Sequence, residues 1–159
     1  MTVQIRPATS ADVPTIASLI GALARFEKLE SEVTMTEADL HATLYGPRPY
    51  AETVLAEEDG KAVGFALFFH NYSTFLARPG LYLEDLYVLE SHRGKGIGKA
   101  LLAHLAKIAV ERRCGRMEWA VLDWNVEAIG FYERLGARPN SDWTVYRLTG
   151  ESLTRLAGK

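Results

Sequence analysis

The stretch Ser91–Ala109, "SHRGKGIGKALLAHLAKIA", constrains this chain more than any other. Glycines alternate at 94, 96 and 98, and then they stop and an apolar periodicity begins. A β-prone run, "GLYLEDLYVL" at Gly80–Leu89, leads into them, while Ile97, Leu101, Leu105, Ile108 and Ala109 follow on one helical face. The pattern predicts a strand, a tight turn and a helix in immediate succession. Glycine admits positive φ and lets a ligand approach the backbone. A helix start adds unpaired N–H groups and the positive end of its dipole. With Arg93, Lys95 and Lys99 alongside, the turn reads as an anion cradle. A merely flexible turn rarely needs three alternate glycines, since each carries an entropic cost on folding.

Two familiar phosphate loops fit poorly. A P-loop has four residues between its first glycine and its Gly-Lys pair. Here "GKGIGK" has three, and Ala100 stands where a metal-binding hydroxyl belongs. The dinucleotide fingerprint G-x-G-x-x-G fails because Leu101 occupies the third glycine position.

The rest of the chain alternates α and β without repeats. Val3–Arg6 reads as a strand. Val13, Ile16, Ile20, Leu23 and Ala24 share a helical face, with Ser10 as a cap and Pro14 in the tolerated first turn. Thr36–Asp39 resembles a capping box that opens a helix through Tyr45. "ETVLAEEDGKAVGFALFF" predicts a hairpin about Asp59-Gly60. Strands are expected at Arg116–Leu122 and Trp143–Leu148, a helix at Val126–Gly136, and a short amphipathic helix or tail at the end.

The 159 residues suit one domain with a sizeable core. Apolar content of 48% and charged content of 24% are ordinary for a globular protein. A net charge of −2 gives no basic stripe for nucleic acid, and the apolar runs are too short for a membrane span. The opening "MTVQIRPATSADV" shows no apolar core behind a basic start, so no targeting segment is expected there. Cys114 is the sole cysteine, so it reads as a packed thiol in a reducing, cytoplasmic chain. His41, His70, His92 and His104 show no ligand spacing, so no metal is expected. A G-x-S-x-G hydrolase elbow is missing.

The turn fits a third pattern, Arg/Gln-x-x-Gly-x-Gly/Ala, through Arg93, Gly96 and Gly98. With "IRPATSADV", "ARFEKLE", "VGFALFF", "LYLEDLYV", "RGKGIGKALL", "LDWN" and "FYERLGA" in that order, the chain resembles the GNAT superfamily of N-acetyltransferases. More narrowly, it resembles the diamine (spermidine/spermine) acetyltransferase branch. The resemblance implies a single-domain α/β fold over residues 1–159: a mixed, mostly antiparallel twisted sheet with splayed central strands, flanked by helices. It implies acetyl-CoA as co-substrate, a small cationic amine (polyamine, diamine or thialysine-like) as acceptor, and a homodimer. Leu86, Tyr87 and Val88 would meet the pantetheine arm. Arg93, Gly94, Lys95, Gly96, Ile97, Gly98 and Lys99 would hold the diphosphate. Asn125, Val126, Glu127, Ala128, Tyr132 and Arg134 would also line the cofactor. Phe26, Glu27, Glu84, Asp85, Glu118, Trp119 and Ala120 would meet the acceptor.

The chemistry supplies its own demands. An alkyl amine with pKa about 10.4 is neutral in only about one molecule in 2,500 at pH 7, so its proton must be taken. Glu84, on the strand entering the cleft, is the expected base, directly or through water. Tyr132 matches the tyrosine that similar enzymes use to protonate the leaving thiolate. The backbone N–H of Val88 or Leu89 would serve the carbonyl oxygen. Asn125 reads as a helix cap that can also bind the cofactor arm. A protein or peptide N-acetyltransferase, or a non-catalytic acyl-CoA sensor, remains open as an alternative, because fold alone does not set the acceptor.

Overall fold

A computed structural model describes residues 2–159. They form two compact units, residues up to Ala120 and Val121–Lys159, which are taken in turn. The first contains β1 (Val3–Pro7), α1 (Val13–Phe26), α2 (Glu37–Tyr45), β2 (Glu52–Glu58), β3 (Lys61–Ser73), β4 (Arg78–Val88), α3 (Ile97–Glu111) and β5 (Met117–Trp119). Its sheet runs in the order β1-β2-β3-β4-β5. The first four strands are antiparallel, and β5 joins β4 in parallel after α3 crosses over. This is the mixed, helix-flanked α/β architecture expected.

Local chemistry explains the elements. Asp59 and Gly60 both take positive φ, 54° and 77°, the backbone that closes a two-residue hairpin with the correct twist. Thr36 caps α2 by accepting from the Asp39 N–H at 3.1 Å, and Asp39 accepts from the Thr36 N–H at 3.2 Å. The start of α1 differs from expectation. Ser10 does not cap it but begins a 3-10 turn, Ser10–Asp12, and the Asp12 carboxylate accepts from the Thr9 N–H at 2.7 Å. An ionised carboxylate is the stronger acceptor, and Arg6 holds it there with two hydrogen bonds of 2.8 and 2.9 Å. The same guanidinium reaches Glu57 on β2 at 2.8 Å, so one side chain joins β1, β2 and the approach to α1.

Apolar faces sort into two layers. Val13, Ile16, Leu19 and Leu23 of α1, with Leu40 and Leu44 of α2, pack on Leu55, Phe65 and Tyr87. Ile97, Leu101, Leu102, Leu105 and Ala109 of α3 are buried on the opposite side of the sheet. There a methyl group at Gly64 would stand 3.4 Å from Val88 and 3.5 Å from Leu101. Strand β5 is shorter than the expected Arg116–Leu122.

The second unit holds α4 (Val126–Arg134) and α5 (Gly150–Leu156). The Ala128 N–H donates to Asn125 Oδ1 at 3.3 Å, so the asparagine caps α4 as expected. The expected strand at Trp143–Leu148 is not formed. Trp143 is 77%, Val145 88% and Tyr146 92% exposed, and without a ladder partner a β-prone run stays irregular. The closing helix α5 leaves Leu153 and Leu156 exposed. Among the described residues, no helix is long and apolar enough to cross a membrane.

Asp12 has its carboxyl lowered to about 2, first by the Arg6 hydrogen bonds. A depressed carboxylate stabilises the fold above its unfolded value and loses that contribution as pH falls through its folded value. Arg6→Met should therefore cost about 1–2 kcal/mol at pH 7. In urea unfolding, the gap from wild type should narrow below about pH 4; a pH-independent gap would contradict this linkage.

Candidate active site

The site grows from an irregularity in β4. Along β3, Phe65 faces Tyr87 and Leu67 faces Asp85, but the next residue, Phe68, faces Leu83. Glu84 is thus an extra residue, a β-bulge. Strict alternation would put residues 81, 83, 85 and 87 on one face. The bulge breaks that parity. Leu81 and Leu83 fall on the α3 face, whereas Asp85 and Tyr87 turn toward α1. Charged Asp85 therefore lies beside the end of α1, where Glu27 follows Phe26.

That helix end is held firmly. The Leu29 N–H donates to Ala24 O at 2.8 Å and Lys28 adopts φ 60°, a left-handed close that ends the helix just after Phe26 and Glu27. Burial pushes the Glu27 carboxyl upward. Asp85 is raised to about 6, first by burial, then by repulsion from Glu84 and Glu27. Tyr82 is also raised, by burial and by the nearby charges of Glu84 and Glu118. Glu84 itself is exposed. Glu118 pairs across from Tyr82, and its Oε1 accepts from Asn71 Nδ2 at 3.4 Å. Trp119 pairs with Leu83 and alternates to the other face, and exposed Ala120 follows the strand end. Five groups with acidic protons, Glu27, Tyr82, Glu84, Asp85 and Glu118, thus gather on one face of the β4–β5 junction.

The same junction opens. Parallel pairing of β4 with β5 ends at Leu83–Trp119, one residue before the bulge. Strand β4 continues to Val88 beyond it, so Leu86, Tyr87 and Val88 lie past the last rung of that ladder. This is the splay expected of the central strands. One expected role is corrected: the Leu89 N–H already donates to Val63 O at 2.8 Å, so it cannot also serve a carbonyl oxygen.

Beyond β4 the glycine turn opens α3. Gly94 and Gly96 take φ 77° and 82°, which L side chains rarely adopt, and a methyl group on either would meet open space. Gly96 is the helix N-cap, and no side chain caps this end of α3. The Ala100 N–H is the first to bond back, to Gly96 O at 3.0 Å, so the N–H groups of Ile97, Gly98 and Lys99 stand ahead of the helical ladder. A left-handed cap, a free helix start, Lys95 and Lys99 fit a diphosphate. The Val88 side chain lies 3.9 Å from a methyl built at Gly98, so the end of β4 and the start of α3 are neighbours.

Two features of the turn escape sequence reading. Glu58, at the end of β2 and only 7% exposed, lies 3.6 Å from Lys95 Nζ and 3.8 Å from His92 Nε2. Its Oε2 has no hydrogen-bond partner. The contact joins residues 37 positions apart, so no local pattern announces it. Secondly, Arg93 bends back onto the protein: its Nε donates to Val88 O at 3.0 Å and its guanidinium lies 4.4 Å from the Phe26 ring centroid.

In the second unit, Tyr132 lies half-buried on α4 with its ring 5.6 Å from Phe131. Val126, Glu127 and Ala128 form the first turn behind Asn125, and Arg134 ends the helix. Among the described residues, no group of three or more His, Cys, Asp or Glu could hold a metal ion. Cys114 is half-buried just after α3.

Comparison with known proteins places this geometry. A family model described as "Acetyltransferase (GNAT) family" matches residues 20–137. L-ornithine N5-acetyltransferase of Arabidopsis thaliana is 38% identical, over 96% of this chain and 87% of that protein. Thialysine N-epsilon-acetyltransferase of Bos taurus is 36% identical, over 99% of this chain and 98% of its own. Among solved structures, an integron cassette protein from the mobile metagenome of V. cholerae superposes with a TM-score of 0.84 at 29% identity. That likeness covers 100% of this chain and 99% of the other.

Proposed function

We propose a small cationic amine as the acceptor of this chain, which belongs to the GNAT acetyltransferase family, in its diamine acetyltransferase-like branch, and is an acetyl-CoA-dependent N-acetyltransferase. The observation that carries the proposal is the register shift at Glu84, which brings Asp85 to Glu27. Clustered carboxylates hold each other's protons and attract an ammonium ion. A neutral peptide would gain little from them. Relatives named for ornithine and thialysine support an acceptor that carries its amine on a short aliphatic chain with other charges nearby. The family match crosses both units, which supports one catalytic domain over residues 1–159.

Gly94–Lys99 and the start of α3 hold the coenzyme diphosphate, and Leu86, Tyr87 and Val88 present the strand edge to its arm. The bound co-substrate supplies the activated acetyl group. Asp85 takes the ammonium proton, because a carboxyl raised to about 6 is a better base at neutral pH than an ordinary one yet remains ionised. Exposed Glu84, the base expected from sequence, draws the cation in beside it. Glu118 extends the acidic wall, and Tyr132 gives its proton to the departing thiolate. A phenol near pKa 10 and a thiol near 8.5 differ by only about 2 kcal/mol, so this transfer is feasible. A cytoplasmic setting agrees with the single cysteine.

A homodimer accounts for the exposed run Trp143–Leu148, which has strand composition and no strand partner within the chain. Charge at its centre, as in Val145→Lys, should convert a sedimenting dimer to monomer. A monomeric wild type would remove this part of the proposal.

The decisive assay gives the protein acetyl-CoA and a panel of diamines, ornithine, thialysine and peptides, and follows thiol release. Activity confined to peptides would overturn the acceptor assignment. With the best amine, kcat/KM should fall below about pH 6 as Asp85 gains its proton. Asp85→Asn should lower kcat about 10²–10⁴-fold and abolish that limb. Removing a neighbouring charge in Glu27→Gln should move the limb to lower pH. If Glu84→Gln abolishes the limb and Asp85→Asn does not, the base is Glu84. Tyr132→Phe should slow turnover by a similar factor while acetyl-CoA affinity stays within about twofold; parent-rate turnover would remove the acid.

A further inference from the structure

We propose that Arg93 is a positioning residue that couples the coenzyme turn to the acceptor wall. The proposal rests on the reading of Phe26 and Glu27 as part of that wall. Arg93 stands at the entrance of the glycine turn, where a cation would be expected to face phosphate. Its guanidinium instead lies 4.4 Å from the Phe26 ring centroid and 5.3 Å from that of Tyr87. The two rings are 6.2 Å apart and tilted by 55°, and the guanidinium is within cation–π reach of both. Its Nε is spent on Val88 O at 3.0 Å.

The contacts reach different parts of the site. Val88 ends β4, beyond the last rung shared with β5. Tyr87 is 8% exposed, on the face that the bulge turns toward α1. Phe26 is the last residue of α1 and is followed directly by Glu27, which lies close enough to Asp85 to add to the effects of burial and Glu84 on it. A turn that closes on a diphosphate sets the backbone of Arg93. The stacked guanidinium then sets Phe26, and Phe26 sets Glu27. By linkage, acceptor binding strengthens the grip on coenzyme by the same factor. Lysine would keep the charge but lose the planar stack and the Nε bond.

Arg93→Lys therefore separates the two roles. In the full-length protein, with acetyl-CoA titrated by calorimetry, its Kd should stay within about threefold of wild type. At saturating acetyl-CoA, the acceptor KM should rise about fivefold or more, with a smaller change in kcat. Phe26→Leu should raise the acceptor KM similarly, and the double variant should be no worse than either single one. An acceptor KM within twofold of wild type in Arg93→Lys would overturn the proposal, as would factors that multiply in the double variant. So would a loss of acetyl-CoA affinity with no acceptor effect, which would make Arg93 a plain phosphate ligand. Glu27→Gln tells this failure from a wrong acceptor wall. If it raises the acceptor KM, the wall stands whatever Arg93 does; if it changes nothing, the wall and the coupling fall together.

Discussion

One extra residue in β4 governs the geometry of this protein. A strand alternates its side chains with period two, so inserting Glu84 exchanges the faces of everything beyond it. Before the bulge, Leu81 and Leu83 are buried on the α3 side; after it, Tyr87 packs with α1 and α2 while Asp85 arrives next to Glu27. The bulge also stands where pairing with β5 stops. A single departure from regular pairing thus opens the sheet, moves a carboxylate into a partly dry site and frees a strand edge. Each consequence is useful to a transferase that must hold a long thioester arm next to an ammonium ion.

The electrostatics follow from that placement. Isolated carboxylates in water hold their protons weakly, whereas burial and like charge both favour the protonated form. Asp85 experiences both effects: it is burial first, then the charges of Glu84 and Glu27, that raise it. In the proposed reaction Asp85 is the proton acceptor, and exposed Glu84 beside it attracts the cation. Opposite charge is arranged around the glycine turn: Lys95 and Lys99 flank a helix start, and buried Glu58 restrains Lys95. Arg93 crosses from the basic turn to the end of α1, beside the acidic cluster, and so links the two proposed halves of the site.

Short-range codes were readable without coordinates. The Thr36–Asp39 box, the Asp59-Gly60 hairpin and the turn from β4 through glycine into α3 depend on residues a few positions apart, and all three formed as read. Codes that need a distant partner failed. Ser10 does not cap α1 but lies in a 3-10 turn before it, and Asp12 at the helix start has its carboxylate on Arg6, which reaches from β1, and on the Thr9 N–H. The run Trp143–Leu148 has the composition of a strand, but a strand needs a partner, and among the described residues this run pairs with none.

Glycine spacing and an amphipathic helix sufficed for the left-handed turn and the open helix start that follows it, since backbone freedom and helix polarity are local properties. The ordered motifs likewise carried the family. Which acid is desolvated, which faces α1 and which cation stacks on Phe26 were decided only in three dimensions. Burial and charge proximity depend on residues such as Glu27 and Asp85, far apart along the chain, and on a register shift that appears only when β3 and β4 pair.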